Sequence, residues 1–350
     1  MNILFVINQI GGGGAERVLI NLANNLALNH KVSIMYFKET NNKYDLNSNV
    51  ETIRNNDLKS NKLAFIKAIS KSIKKVEPSC IISFEYHMNL KVILASIISG
   101  YKKKLIVSER NDPVKKGGSF PIKQVRDLLY KRVDFLVCQT QDAYDYFCGI
   151  KKRNKVIIEN PLSPLLPQPW QGNRRNRIVN FCRLEPQKNI PLLIKAFKTF
   201  AQKHADYRLE IYGDGSLRAE LEQLLEVYEL KEKVILHHFS ENIYEDIKDA
   251  AMYVSSSDYE GLSNSMLEAM ALGIPAICTD CPCGGARMVI SNGESGLLVP
   301  VNDAEAMAIA MSRVADDHQF ALDISQKEIL VREHYSIPKI MEKWMNIIEN

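Results

Sequence analysis

The stretch Ile3–Ala27, ILFVINQIGGGGAERVLINLANNLA, decides how this 350-residue chain is built. Ile3–Asn8 is an apolar, β-branched run that reads as a buried strand, and the four glycines Gly11–Gly14 after it read as a turn. From Ala15 to Ala27 the period changes, setting Val18, Leu19, Leu22 and Leu26 on one face of a helix. Strand, glycine turn and helix together open a parallel sheet, whose ligands gather at the carboxyl ends of its strands. Glycines there clear side chains from the path of another group, and the helix N-terminus that follows favours an anion. Phosphate contact at Gly12, Gly13 and Gly14 and a plain tight turn both satisfy this segment.

The alternation continues outward. CIISF (Cys80–Phe84) leads into helical spacing at Leu90–Ser99, and KVSIMYF, KLIVSE and DFLVCQT supply further short strands. At Asn160–Arg177, NPLSPLLPQPWQGNRRNR, four prolines within nine residues forbid a regular element and mark a linker. Beyond it the pattern resumes with RIVNFCRL, YRLEIYG, KVILHHF, MYVSSS and PAICTD, and helices run from Asp303 onward. Two similar α/β domains are expected.

Composition narrows the class. With 46% hydrophobic and 25% charged residues the chain can bury a large core, and its seven cysteines, an odd number beside apolar runs, read as reduced thiols. MNILFVINQI lacks the basic and small-residue flanks of a signal peptide, and VILASIISG, Val92–Gly100, is half the length of a membrane span, so neither export nor a span is expected. Met1–Trp170 holds 26 Lys+Arg against 14 Asp+Glu, a balance of +12, and the remainder holds 19 against 27, a balance of −8. A basic half suits a phosphorylated substrate, nucleic acid or an anionic membrane surface.

Three motifs after strands carry the chemistry. FCRLEPQKN places Arg183 and Lys188 five residues apart across Pro186, able to converge on a diphosphate, although solvated loop cations also fit. YGDG, with Gly213, makes a tight turn against which a nucleotide could lie. EGLSNSMLEAM, Glu260–Met270, sets two carboxylates eight positions apart. Ser265-x-x-Glu268 fits a capping box, which explains Glu268 but leaves Glu260 in the loop before the helix. A carboxylate there can accept sugar hydroxyls while the backbone N–H groups of Ser263, Asn264, Ser265, Met266 and Leu267 face an anion.

Glu260-x7-Glu268 within EGLSNSMLEAMALGIPAICTD, together with RLEPQKN, YGDG, GGGGAERV and NGESGLLVPVND, resembles glycosyltransferase family 4, the retaining nucleotide-sugar transferases of GT-B fold. GGAERV and SERNDP are similar to bacterial enzymes that build capsule, O-antigen or glycan chains on polyprenyl-diphosphate carriers. The resemblance implies two Rossmann-like domains, 1–165 for acceptor and 166–335 for donor, facing a central cleft. A helix over 336–350 would cross back onto the first domain through Ile340, Met341, Trp344, Ile347 and Ile348. It implies that Arg183 and Lys188 hold the donor diphosphate, Glu260 the sugar hydroxyls and Glu268 the ribose. Ser263–Leu267 would hold phosphate through backbone N–H groups, with Gly12–Gly14 bordering the reacting centre. No metal or other cofactor is implied beyond the nucleotide sugar, UDP-linked by resemblance. The implied acceptor is a lipid-linked saccharide at the inner face of the cytoplasmic membrane, with no nucleic acid partner. Two positions depart from the pattern: Glu109, Arg110 and Asn111 stand where many relatives carry a histidine, which makes them acceptor-side candidates, and Met288 stands where a glutamate is usual.

Other readings fit parts of the sequence. Basic amphipathic segments at Asn61–Pro78 and Lys115–Arg132 suit either sheet-covering helices or an anionic lipid surface, and the second favours lipid. An NAD-dependent oxidoreductase would need a cleaner glycine fingerprint and a better acidic residue than Glu39. A nucleoside-diphosphosugar epimerase of the same architecture is the alternative activity. CTDCPC, Cys278–Cys283, offers three thiols but no fourth zinc ligand.

Overall fold

A computed structural model describes residues 1–11, 13–39, 45–55 and 61–349, and these divide into two compact units, Met1–Pro161 with Pro338–Asn350, and Leu162–Ile337. Gly12 lies outside the described residues.

The first unit runs β1 (Asn2–Val6), β2 (Gln9–Ile10), α1 (Gly14–Leu26), β3 (Lys31–Tyr36), β4 (Lys38–Glu39), β5 (Val50–Arg54), α2 (Lys62–Val76), β6 (Cys80–Phe84), α3 (Tyr86–Ser99), β7 (Lys104–Ser108), α4 (Phe120–Leu129), β8 (Phe135–Cys138), α5 (Gln141–Tyr146) and β9 (Lys155–Ile157). Its main sheet is parallel throughout, in the order β5-β3-β1-β6-β7-β8-β9. Because strands leave β1 in one direction and β6 in the other, the switch point lies at the carboxyl ends of those two strands. The inner face of α1 is as the spacing requires, with Val18, Leu19, Leu22 and Leu26 buried. On α2, Ile66, Ile69 and Ile73 are buried while Lys67, Lys71, Lys74 and Lys75 are exposed, which is a sheet-covering helix with a solvated basic face.

The second unit runs β10 (Arg175–Phe181), α6 (Ile190–Phe200), β11 (Arg208–Tyr212), α7 (Arg218–Val227), β12 (Val234–His237), α8 (Ile243–Ile247), β13 (Ala250–Ser255), α9 (Asn264–Ala271), β14 (Ala276–Thr279), α10 (Gly285–Val289), β15 (Leu297–Val299), α11 (Ala304–Asp316), α12 (His318–Glu328) and α13 (Val331–His334). Its sheet is also parallel, ordered β12-β11-β10-β13-β14-β15, so the switch falls between β10 and β13. One face is filled by Ile178, Leu193, Phe197, Leu209, Ile211 and Met311, the other by Tyr253, Met266, Leu267, Met270 and Ile274.

The last helix, α14 (Ile337–Glu349), belongs to the core of the first unit. Ile340, Trp344, Ile347 and Ile348 are buried there, Met341 packs at the margin, and the Trp344 ring stacks on Phe84 at 5.9 Å between centroids. Burying these side chains contributes several kcal/mol at about 1.5–3 each, which explains why so short a segment holds its place. Among the described residues no helix is long and apolar enough to cross a membrane.

Candidate functional site

The switch point of the second unit gathers the charged residues. After β10 the chain runs through Cys182 and Arg183 into a single helical turn, Pro186–Lys188, and Asn189 then takes a left-handed conformation to cap α6 through the Leu192 N–H. That turn is stitched to the loop after β13. The Asp258 N–H donates to Gln187 O (2.9 Å), Gln187 Nε2 to Tyr259 O (2.9 Å), Asn189 Nδ2 to Asp258 Oδ1 (2.7 Å) and Ser256 Oγ to Lys188 O (2.9 Å). On its far side the loop is held by the Glu260 N–H on Pro282 O (2.7 Å) and the Cys283 N–H on Glu260 O (3.0 Å).

This stitching brings Lys188 Nζ into an ion pair with Glu260 Oε2. Gln187 Nε2 and Ser257 Oγ approach the same oxygen at 3.4 Å, while no described residue donates to Oε1. Burial works to lower the Lys188 pKa, but Glu260 outweighs it, so the ammonium is held. Arg183 is exposed and its guanidinium has no ion-pair or hydrogen-bond partner among the described residues. An open guanidinium beside an ammonium, and a carboxylate with one oxygen uncommitted, can together take a ligand that is anionic at one end and hydroxylated at the other.

Two close approaches require glycine. Gly213 has φ +143°, and a Cβ there would stand 1.9 Å from Cys182 O, so YGDG lies directly against the segment that carries Arg183. A Cβ on Gly285 would likewise meet Gly261 O at 1.9 Å, which presses the loop before α10 onto Glu260–Gly261. Asp214 accepts the Phe239 N–H (3.0 Å) and His238 Nδ1 lies 2.6 Å away; these contacts hold the carboxyl below its usual range. His237 stacks on Tyr212 at 4.3 Å.

The capping box is corrected. The N-cap of α9 is Ser263, whose Oγ accepts the Met266 N–H at 3.4 Å. Ser265 is drawn aside, its hydroxyl meeting Tyr253 OH at 3.0 Å and Ser263 Oγ at 3.0 Å. Glu268 is therefore the fifth residue of the helix, too far along to reach a cap, and is buried at 3% exposure. The N–H groups of Met266 and Leu267 are taken by Ser263, whereas that of Ser265 has no acceptor among the described residues. The Met266 and Leu267 side chains lie in the core, so only their backbone faces the turn. Burial pushes the thiol of Cys281 up to about 12 and that of Cys278 well above its usual value. Both are neutral thiols, which zinc binding would have to deprotonate.

The first unit places its candidates differently. Gly13 caps α1, but the Glu16 carboxylate folds back over it, so that a Cβ on Gly13 would meet Glu16 Oε2 at 1.9 Å; Gln9 Nε2 donates to Glu16 Oε1 at 2.9 Å. Thus a side-chain anion already stands at the turn formed with Gly14. A glutamate at the third helical position was the available signal. Glu109 is buried at 4% exposure and accepts the Tyr130 O–H, while Asn89 Nδ2 donates to that phenol oxygen at 2.9 Å. Burial pushes its carboxyl up to about 7, against the opposing pull of Arg126 and of Tyr130. Glu109 is therefore held beneath Tyr130, shielded from solvent.

Arg110 is half-buried, stacked over Phe84 at 4.7 Å and bonded to Ser108 Oγ (3.3 Å) and Asn160 Oδ1. Burial pulls its pKa down to about 9 while Glu85 opposes. Asn111 Oδ1 accepts the Asp112 N–H (2.8 Å) in a local turn. The sequence reading missed Glu85 and His87, at the carboxyl end of β6. Glu85 is held at φ +71°, and His87 Nε2 lies 3.4 Å from its Oε2. Burial, aided by Lys91, lowers the imidazole to about 4, so it is neutral near pH 7.

Residues 168–329 match the family model of glycosyl transferases group 1, which spans the unit that holds Arg183, Lys188 and Glu260. The protein is a glycosyltransferase, and its two parallel-sheet Rossmann-like units are those of the GT-B fold. It is 25% identical over 98% of its length, and 98% of the relative's, to an uncharacterized glycosyltransferase of Haemophilus influenzae. Against a Campylobacter jejuni enzyme, the GalNAc-alpha-(1->4)-GalNAc-alpha-(1->3)-diNAcBac-PP-undecaprenol alpha-1,4-N-acetyl-D-galactosaminyltransferase, identity is 28% over 99% of this chain and 98% of that one. The fold is shared with Anabaena HepE, solved with UDP and glucose (TM-score 0.86, 18% identity, all of both chains). It is shared also with sucrose-phosphate synthase of Thermosynechococcus elongatus (TM-score 0.86, 17% identity, 99% of this chain and 98% of that one).

Proposed function

We propose that this enzyme is a retaining transferase of glycosyltransferase family 4. It would move a hexose or N-acetylhexosamine from a UDP-sugar to a polyprenyl-diphosphate-linked glycan at the inner face of the cytoplasmic membrane. The observation that carries the donor half is the Arg183 guanidinium, without a partner among the described residues, beside the Lys188–Glu260 pair at the switch point. The relatives named for lipid-linked acceptors support the acceptor half.

In this reading the C1–O bond to the donor diphosphate breaks while the acceptor hydroxyl oxygen bonds to C1 on the same face. The hydroxyl proton passes to the departing diphosphate. Arg183 and Lys188 neutralise the charge that grows on the leaving group, so the step needs no divalent cation. Glu260 Oε1 accepts a sugar hydroxyl and orients the ring, and Glu268 receives the ribose. The remaining acceptor-side candidates are Arg110 and Asn111.

The test incubates purified protein with labelled UDP-hexoses and UDP-N-acetylhexosamines, bacterial lipid extract and EDTA, and follows label into the lipid phase. Transfer by wild type, lost in Lys188→Ala, is expected. Label remaining in water on an altered nucleotide sugar would replace this reading with the epimerase. Transfer that stops on adding EDTA would remove the metal-independent mechanism.

A further inference from the structure

Between β6 and α3 the chain turns from strand to helix in one residue, Glu85. Its N–H still belongs to the sheet, donating to Ser108 O at 3.1 Å, while its carbonyl already receives the Met88 and Asn89 N–H groups at 3.0 and 2.9 Å and so opens the helix. Fastened at both ends, Glu85 takes φ +71° and ψ 134°. Glu77 and Asn189 also have positive φ, but with ψ 49° and 47° they lie in the left-handed helical region that side-chain-bearing residues visit. Glu85 lies outside it, in territory that belongs almost wholly to glycine. After β11 the same place in the chain, directly behind a strand, is filled by Gly213 at φ +143°. A glycine would make the turn from β6 to α3 without strain, so the fold keeps the Glu85 carboxylate against its own stability.

The carboxylate stands at the carboxyl end of β6, one of the two strands that flank the switch point of the first unit, where ligands of parallel sheets gather. Its side chain is 35% exposed, and His87 Nε2 lies 3.4 Å from Oε2. Burial, aided by Lys91, keeps that imidazole neutral near pH 7, so His87 leaves the carboxylate its charge. Arg110, bonded to Ser108 Oγ and Asn160 Oδ1, is near enough for the Glu85 charge to support its own. An ionised carboxylate accepts hydrogen bonds and repels phosphate, so it suits the hydroxyls of a sugar and not the anionic end of the donor. We propose that Glu85 binds the acceptor saccharide, its carboxylate accepting a hydrogen bond from a sugar hydroxyl. This rests on the transferase reading above and adds to it a residue that orients the acceptor. Glu85 takes no proton in the step; the proton of the attacking hydroxyl still leaves with the diphosphate.

Two substitutions separate strain from charge. Glu85→Gln keeps the backbone conformation and loses the charge, while Glu85→Gly loses both. Glu85→Gly should therefore melt about 2 °C or more above Glu85→Gln. UDP, titrated calorimetrically, should bind both variants as it binds wild type. In the transfer assay with bacterial lipid extract, both should need about tenfold more extract or beyond for half-maximal rate, with the KM for the UDP-sugar unchanged. Glu77→Gly, at the exposed left-handed end of α2, should transfer as wild type does. A Glu85→Gly protein no more stable than Glu85→Gln would mean that the turn is unstrained and overturns the inference. So does a folded Glu85→Gly that half-saturates at the wild-type amount of extract, a rise in the KM for the UDP-sugar alone, or a loss of transfer that UDP binding shares. Failure of the transferase reading shows instead in wild type, which would then move no label, and it takes this inference with it.

Discussion

Glu260 and Glu109 invite direct comparison. Each follows a strand of a parallel sheet, and each lies beside a cation and a hydroxyl. Glu260 is half-buried, pinned through Oε2 by Lys188, Gln187 and Ser257, while Oε1 takes no bond from a described residue. Glu109 is sealed beneath Tyr130, and burial raises its carboxyl to about 7. The same residue type thus keeps one oxygen clear of described donors in one unit and is sealed into the framework in the other. What separates them is access to water, which sequence spacing does not record.

The sharpest way to break this comparison is at the open site. Arg183→Ala and Lys188→Ala should each lower kcat by roughly 10²-fold or more, since charge on the leaving group grows in the transition state. Near-wild-type initial rates in both would place the donor elsewhere. Lys188→Ala should also cost about 1–3 kcal/mol in denaturant unfolding, because Glu260 keeps its partly buried charge without a counterion. Arg183→Ala, at an exposed position with no partner among the described residues, should leave stability within about 0.5 kcal/mol.

Next in size is Gly213→Ala. With φ +143° and Cys182 O in the way, the substitution should cost about 2–4 kcal/mol by urea midpoint and slacken the Arg183 segment. A neutral result would mean that the turn shifts freely and does not position that segment.

The sealed carboxylate makes a pH prediction. A carboxyl raised from its unfolded value to about 7 binds more protons when folded than when unfolded, so its contribution to stability falls as pH rises from about 4.5 to 7. Glu109→Gln should abolish that slope, and the difference between variant and wild type, followed by melts from pH 4 to 8, should change by roughly 1–3 kcal/mol. Parallel curves would mean that Glu109 is already ionised in the fold.

The smallest test distinguishes two serines. Ser263→Ala should cost about 1 kcal/mol through the lost cap, and Ser265→Ala less, because Ser265 bonds to Tyr253 instead of the helix backbone. Equal losses would return the cap to the capping box.

Much of the fold was legible in advance. Runs such as Ile3–Val6 and Cys80–Phe84 are too short and too uniformly apolar for surface helices, and the glycine and proline punctuation separates them. The motifs at Arg183, Lys188 and Glu260 were legible as well, since each directly follows a strand. The pairing of Lys188 with Glu260 was not, because it joins residues 72 apart and depends on a handful of backbone bonds. Nor was the burial of Glu109, which Tyr130 and Arg126 impose from 21 and 17 positions further along. At Ser263 and Ser265 two equivalent side chains compete for one role, and a tyrosine on a neighbouring strand decides between them.

Trp344 carries one further consequence, for the order in which the chain assembles as it is made. The unit Leu162–Ile337 is continuous, so all of its core has been synthesised before Trp344 leaves the ribosome. The unit translated first cannot finish its own interior until Ile340, Trp344 and Ile348 arrive to cover Phe84. Begun before the other unit and completed after it, it keeps an apolar face unfilled until that last helix is made.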